Sequence, residues 1–285
     1  MGAFPRTMVG GFSLSRMIIG TNWFLGFSHC TESKSLYIRD NVRKRKEIAD
    51  ILEVFFRAGV DTVMAQMANE PMNDAIKDAE DRTGARCIKI STPALPVSQD
   101  TPLKGFRSDE TARILDAEVS YGSTFCMPHQ STTDSMVCRC ARQIRQFDDV
   151  CHMIRERGMI PGLSTHMPES IVYADESGLD VETYISIYNS MGFMMQIEVD
   201  WVARIIRDAK KPVMTIKPFA AGQLRPFQGL AFVWNTLRAQ DMVTVGTMSP
   251  GEAQELIDMS LEMLERRPME GILQETRSKA SVKVS

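Results

Sequence analysis

The residues with the most chemical promise in this chain are a few histidines and one lysine. Only four histidines occur among 285 residues. Three of them, His29, His129 and His166, each fall just past a short apolar run. Three imidazoles brought together could hold a divalent metal such as Zn²⁺, with one position open for water or substrate. They could equally hydrogen-bond a substrate or one another, or simply pack. The fourth, His152, sits inside a helical pattern and reads as a surface or packing residue. Lys217 closes the run "PVMTIK". A partly buried lysine can have a lowered pKa and act as a base or Schiff-base nucleophile. Alternatively its charge steadies a substrate anion or pairs with Asp61 or Asp241. Lys89, inside "RCIKIST", points inward or outward according to register. A further group lies in "GVDTVMAQMANEPMNDAI" (Gly59–Ile76), a buried run from Val60 to Met64 that opens into a helix. Asp61 and Gln66 are expected at its mouth. Gln66 can donate a hydrogen bond, but it cannot give a proton to a forming alkoxide.

Eight apolar runs could position these groups: "RMIIGT", "VDTVMA", "RCIKIST", "STFCMP", "MIPGLST", "ETYISIY", "PVMTIKP" and "MVTVG". Each is apolar nearly throughout, as suits strands buried on both faces. Helical patterns separate them. "EIADILEVFFRAG" ends on Gly59 as a C-cap. "TDSMVCRCARQIRQFDDVCHMIRERG" puts Met136, Cys140, Ile144 and Phe147 on one face of a long helix stopping at Gly158. "SPGEAQELIDMSLEML" begins with Ser249 as N-cap, Pro250 next and Glu252 at the third position, a capping box. Eight strands alternating with helices predict a single parallel (β/α)8 TIM barrel, with a small hairpin turning on Gly10-Gly11 before the first strand. An open doubly wound sheet fits less well, because no glycine-rich phosphate fingerprint follows the first strand. Residues 1–270 are expected to form the barrel and 271–285 a polar tail.

Active sites of such barrels lie at the carboxyl ends of the strands. Read in order, those ends supply Asn22, Trp23 and His29; Asp61 and Gln66; Ser91 and Thr92; Cys126, His129 and Gln130; Ser164, Thr165 and His166; Tyr188 and Asn189; Lys217; and Gly246 and Thr247. Trp23 and Phe24 could wall a sugar-like or small carbonyl substrate, or only cover the barrel top. Asp61 and Lys217 are both expected at this mouth, on strands that are not neighbours. Lys217 is therefore expected to face a pocket containing His129 or His166 rather than to pair with Asp61.

Net charge is −3, with 33 basic and 36 acidic residues spread along the chain. No basic stripe offers itself to a phosphate backbone, so no nucleic-acid partner is expected. No apolar run approaches the ~20 residues that span a bilayer. The N-terminal stretch has no charged-then-apolar leader pattern, so no membrane partner and a cytoplasmic location are expected. The six cysteines are then expected to stay thiols. Cys138 and Cys140, two apart on the expected helix, point about 200° apart and read as core fillers.

The order of motifs resembles the aldo-keto reductase superfamily. The hairpin with "SRMIIGT" looks like that family's N-terminal plug and first strand, and "DTVMAQMANEPMNDAI" like its second-strand motif. "FCMPHQ", "GLSTH", "IKPFAAGQL" and "VGTMSPGEAQE" are similar to its fourth, fifth, seventh and eighth strand ends. The resemblance covers about residues 7–265. It implies a tetrad of Asp, Tyr, Lys and His, of which Asp61 and His129 match. Gln66 stands at the Tyr position and Pro93 at the Lys position, so the chain looks like a divergent member with an incomplete tetrad. The family's cofactor phosphate would fall at Gly246, Thr247 and Ser249. Glu252 and Glu255 follow, with no Arg or Lys between Gly246 and Glu265. NADP is therefore not expected, and NAD is easier to accept. Three functions stay open. One is non-redox isomerase, lyase or aldolase chemistry on a small hydroxylated carbonyl compound, as in carbohydrate metabolism. It would use His29, His129, His166 and Lys217, with or without a metal. The others are an NAD(H)-dependent oxidoreductase with an unconventional proton donor, and a non-catalytic ligand-binding barrel.

Overall fold

The computed structural model describes residues 3–267; the tail expected over 271–285 lies outside the described residues. An antiparallel hairpin, β1 (Arg6–Val9) and β2 (Phe12–Ser15), turns on Gly10 and Gly11, whose φ values of 54° and 85° suit a tight hairpin turn. Then come β3 (Met17–Gly20), β4 (Thr62–Ala65), β5 (Ile88–Ser91) and β6 (Phe125–Cys126). A second small hairpin, β7 (Val137–Cys138) and β8 (Gln143–Ile144), precedes β9 (Ile160–Pro161) and β10 (Leu163–Ser164). The last strands are β11 (Tyr184–Ile187), β12 (Val213–Ile216) and β13 (Met242–Val245).

Outside the hairpins, all strands pair in parallel, in the order β10-β11-β12-β13-β3-β4-β5-β6-β9. β9 and β10 are halves of one strand parted at Gly162. Ile160 pairs with Phe125 of β6, and Leu163 pairs with Tyr184 of β11. The ring closes through this bend, which gives the eight-stranded TIM barrel. Glycine at this bend leaves room for the Met127 side chain, since a Cβ at Gly162 would lie 2.6 Å from Met127 Cε and 2.9 Å from its Cγ.

Two apolar cores follow from this closure. Ile18, Met64, Ile90, Phe125, Ile160, Ile185, Met214 and Met242 fill the ring, together with Val9 and Leu14 of the first hairpin. That hairpin stops the amino-terminal end, since Gly10 sits against Ile160 and Glu182. The second core lies between sheet and helices. The helices are α1 (Glu32–Asn41), α2 (Arg45–Arg57), α3 (Glu70–Thr83), α4 (Thr101–Lys104), α5 (Asp109–Ser120) and α6 (Gln130–Ser135). They continue as α7 (Phe147–Arg155), α8 (Glu169–Ser177), α9 (Val199–Asp208), α10 (Pro226–Thr236) and α11 (Pro250–Leu264).

One expected helix is corrected. The stretch from Thr133 to Gly158 is not continuous; α6 ends at Ser135 and α7 starts at Phe147, with β7 and β8 between. Met136, Ile144 and Phe147 are buried as expected, but through the hairpin. Arg139 and Arg142 bind Glu169 and Glu176 of α8, each at 2.6 Å, and Arg142 takes a left-handed φ of 51°. These contacts hold a turn that helical spacing alone could not show. Cys138 and Cys140 accordingly lie at the hairpin and are not core fillers; Cys140 is exposed.

Candidate active site at the barrel mouth

Lys217 immediately follows β12 and enters the loop with a left-handed φ of 59°, which costs energy in a non-glycine residue. Ala220 and Ala221 are also left-handed, at 47° and 57°. Gly229 of α10 makes this tight turn possible, because a Cβ there would meet the Pro218 carbonyl oxygen at 2.7 Å. Burial lowers the Lys217 pKa from its ordinary value. Among the described residues its amine has no carboxylate partner and no hydrogen bond.

Lys217 lines a cavity of about 1040 Å³ at the carboxyl ends of the strands. His29, His129 and His166 line the same cavity, as do Gln66, Asn22, Trp23, Ser164, Gly246 and Thr247. All three imidazoles are pushed below the ordinary histidine pKa, first by burial and then by the charge of Lys217. His166, which also feels His129 and His29, is lowered to about 4. His129 caps α6: its Nδ1 lies 3.3 Å from the Ser131 N–H and 2.8 Å from the Ser131 hydroxyl. A nitrogen that accepts from a backbone N–H carries no proton, so the neutral ring holds its proton on Nε2. His29 Nε2 lies 2.8 Å from Asn22 Nδ2, which fixes that ring as well. The His166 backbone is held by Asp134, whose Oδ2 accepts from the His166 N–H at 3.0 Å. Asp134 also accepts from the Thr165 hydroxyl, and burial pushes its carboxyl above the usual range.

At the end of β13, the Thr244 and Thr247 hydroxyl oxygens are buried and have no partner among the described residues. Both residues line the cavity. Beside them α11 is capped from within: Ser249 accepts from the Glu252 N–H at 3.2 Å, and Glu252 Oε2 accepts from the Met248 N–H at 2.7 Å.

Several expected site residues lie elsewhere. Asp61 is not at the mouth. It precedes β4, at the amino-terminal end of the barrel, and pairs with Arg6 of the first hairpin at 3.0 Å. A residue that opens a parallel strand lies at its amino-terminal end, opposite the mouth, so the position expected for Asp61 is corrected. Lys89 donates to the Tyr121 carbonyl at 2.8 Å, at the end of α5, so it faces the helix layer. The Tyr188 hydroxyl donates to Thr236 of α10, and Asn189 holds its own turn through Phe193. The three histidines share the cavity, but among the described residues no three His, Cys, Asp or Glu side chains are grouped to hold a metal ion. His152 is at the surface, paired with Glu156 at 2.9 Å.

Two contributors were missed in the sequence. Thr244 had a signal, as the one hydroxyl inside the apolar run "MVTVG". Asp134 had none, because its partners come from the next barrel strand.

No family model and no curated relative matches the sequence. Among solved structures, the chain is similar to a "putative aldo-keto reductase" from Pseudomonas aeruginosa, at 15% identity over 91% of this chain and 96% of that one, with a TM-score of 0.64. A second structure described in the same words, from the same organism, gives 14% identity, 91% and 95% coverage and a TM-score of 0.63. A truncated 3-deoxy-D-arabino-heptulosonate 7-phosphate synthase from Thermotoga maritima gives 12% identity, 93% and 92% coverage and a TM-score of 0.53. At such identities the likeness is one of fold, the TIM barrel.

Proposed function

We propose that the barrel mouth performs amine-assisted, non-redox chemistry on a small hydroxylated carbonyl compound, of isomerase, lyase or aldolase type, with Lys217 as the nucleophile. The observation that carries this reading is a half-buried amine with a lowered pKa and, among the described residues, no carboxylate partner, lining one cavity with three imidazoles. Burial raises the share of neutral amine, the form that attacks a carbonyl carbon. Attack gives a carbinolamine, and loss of water gives an iminium ion on Nζ. The carbinolamine oxygen takes the proton that the attacking amine gives up and a second from solvent, and leaves as water; His129, with its hydrogen on Nε2, donates a hydrogen bond to that oxygen. The iminium acidifies the adjacent carbon, so a weak base suffices to remove its proton. His166, held neutral by its low pKa, is that acceptor. Hydrolysis then returns the free amine.

A second reading, an NAD(H)-dependent oxidoreductase, draws on the unpartnered Thr244 and Thr247 hydroxyls where the cavity reaches α11. Glu252 opposes it, because its carboxylate already takes the Met248 N–H there. So does Gln66, which brings no proton to the mouth.

The test is solvent deuterium exchange at the carbon beside the carbonyl, followed by NMR across two- to six-carbon hydroxyaldehydes, ketoses and 2-oxo acids. The native chain should exchange at least one member and Lys217→Met none. No exchange across the panel, or equal exchange by both proteins, would contradict the reading.

A further inference from the structure

The second hairpin carries chemistry that the barrel mouth does not use. Its strands hold "VCRCARQI" in a register that sets Cys138 opposite Gln143 and Val137 opposite Ile144. Of the three arginines in and beside this turn, Arg139 and Arg142 are tied to Glu169 and Glu176 of α8. Arg145 is different. Its Nη2 lies 3.1 Å from Cys138 Sγ, and among the described residues it has no carboxylate partner. A guanidinium against a sulfur is an environment that favours a thiolate. The Cys138 thiol is accordingly held below its ordinary pKa, first by the Ala141 amide and then by Arg145.

No other cysteine is placed this way. Burial pushes the Cys126 thiol up to about 12, and raises Cys87 and Cys151 as well. Cys30 donates its thiol hydrogen to the Ala221 carbonyl. Cys140 is exposed two residues beyond Cys138 on the same turn, so chain geometry keeps their Cα atoms within about 7 Å. That is at the outer edge of disulfide reach, so the small movement of an exposed turn suffices.

We infer that Cys138 and Cys140 form a thiol–disulfide exchange site for small disulfides of the glutathione class, with Cys138 attacking and Cys140 resolving. The Cys138 thiolate attacks one sulfur of the small disulfide. A mixed disulfide forms on Cys138, and one small thiolate leaves. Cys140, losing its proton, then attacks Cys138 Sγ and expels the second small thiol. The small disulfide is reduced to two thiols, and the cysteine pair is oxidised to one disulfide. Arg145, whose charge no carboxylate among the described residues compensates, favours an anionic reagent of this kind. A bridge across so short a segment is strained, so an excess of small thiol should reopen it, as in a reversible switch.

The experiment uses the full reduced chain and oxidised glutathione near neutral pH, with free thiols blocked by iodoacetamide and peptides read by mass spectrometry. The native chain should lose two hydrogen atoms in the peptide containing both residues. Cys140→Ser should accumulate glutathione on Cys138. Cys138→Ser should react at Cys140 at least about tenfold more slowly. Arg145→Gln should slow the attack at least about threefold, and Arg145→Lys should restore most of it. Alkylation of the native chain needs no variant: Cys138 should outpace Cys30 and Cys140 below the ordinary thiol range of about 8.5. Cys138 reacting no faster than those two, or a mixed disulfide that never resolves in the native chain, would overturn the assignment.

Discussion

At the scale of single residues, the mouth is organised by what Lys217 lacks. A lysine with a carboxylate partner would stay charged, whereas burial beside three imidazoles favours the neutral amine. Lys217→Met keeps most of the volume and removes a half-buried amine that, among the described residues, no ion pair holds. The thermal midpoint should stay within a few degrees while carbonyl exchange is lost; a large fall in the midpoint with exchange intact would make Lys217 a structural residue. His166 gives a second test. Its pKa is about 4 in the fold against 6.5 ordinarily, so between those values the unfolded chain binds a proton that the folded chain refuses. Its contribution is fully present above pH 6.5 and is lost as pH falls towards 4. The midpoint should therefore climb with pH across that window and then level off. Asp134, held above its ordinary range, adds the opposite slope at the acid end. The comparison with His166→Asn isolates the histidine: the variant should show a flatter rise, and an unchanged profile would remove His166 from the account. These residues were partly legible. The three histidines and Lys217 stood out because each follows or closes an apolar run, whereas Asp61 opens its strand and so lies at the end opposite the mouth, and the face that Lys89 takes is set by a register the sequence does not show.

At the scale of elements, the loop after β12 is the device that aims Lys217. Three left-handed residues in it are non-glycine, and α10 presents Gly229 where the chain passes closest. Gly229→Ala would force the Pro218 carbonyl and the Phe219 ring aside. Such overpacking typically costs about 1–3 kcal/mol. Denaturant unfolding should register that loss, and carbonyl exchange should fall by more than the unfolded fraction explains, because Lys217 adjoins the displaced turn. Unchanged exchange would mean that the turn is not what positions the amine. The elements were largely readable, since runs buried on both faces signal parallel strands and "SPGEAQE" signals a helix start. The second hairpin was not readable. Its apolar residues keep helical spacing, and only the arginine contacts to α8 decide for a turn.

At the scale of the whole molecule, the fold was legible because eight buried strands alternating with helices have few ways to close. The chemistry was less legible, because a barrel mouth assembles residues that the chain keeps far apart, and which nitrogen faces which neighbour is settled only by packing. The same assembly bears on cofactor use. With Glu252 on the Met248 N–H and no basic residue from Gly246 to Glu265, a 2′-phosphate at the start of α11 meets negative charge. Fluorescence titration should show no micromolar NADPH affinity; tight binding would promote the oxidoreductase reading. The central claim, that Lys217 is a nucleophilic amine, has a more direct measurement. The native chain is incubated with a hydroxyketone that it exchanges, borohydride is added, and the modified lysine is located by mass spectrometry. The account predicts a reduced adduct on Lys217, absent in Lys217→Met. No adduct, or adducts shared evenly among surface lysines, would contradict it.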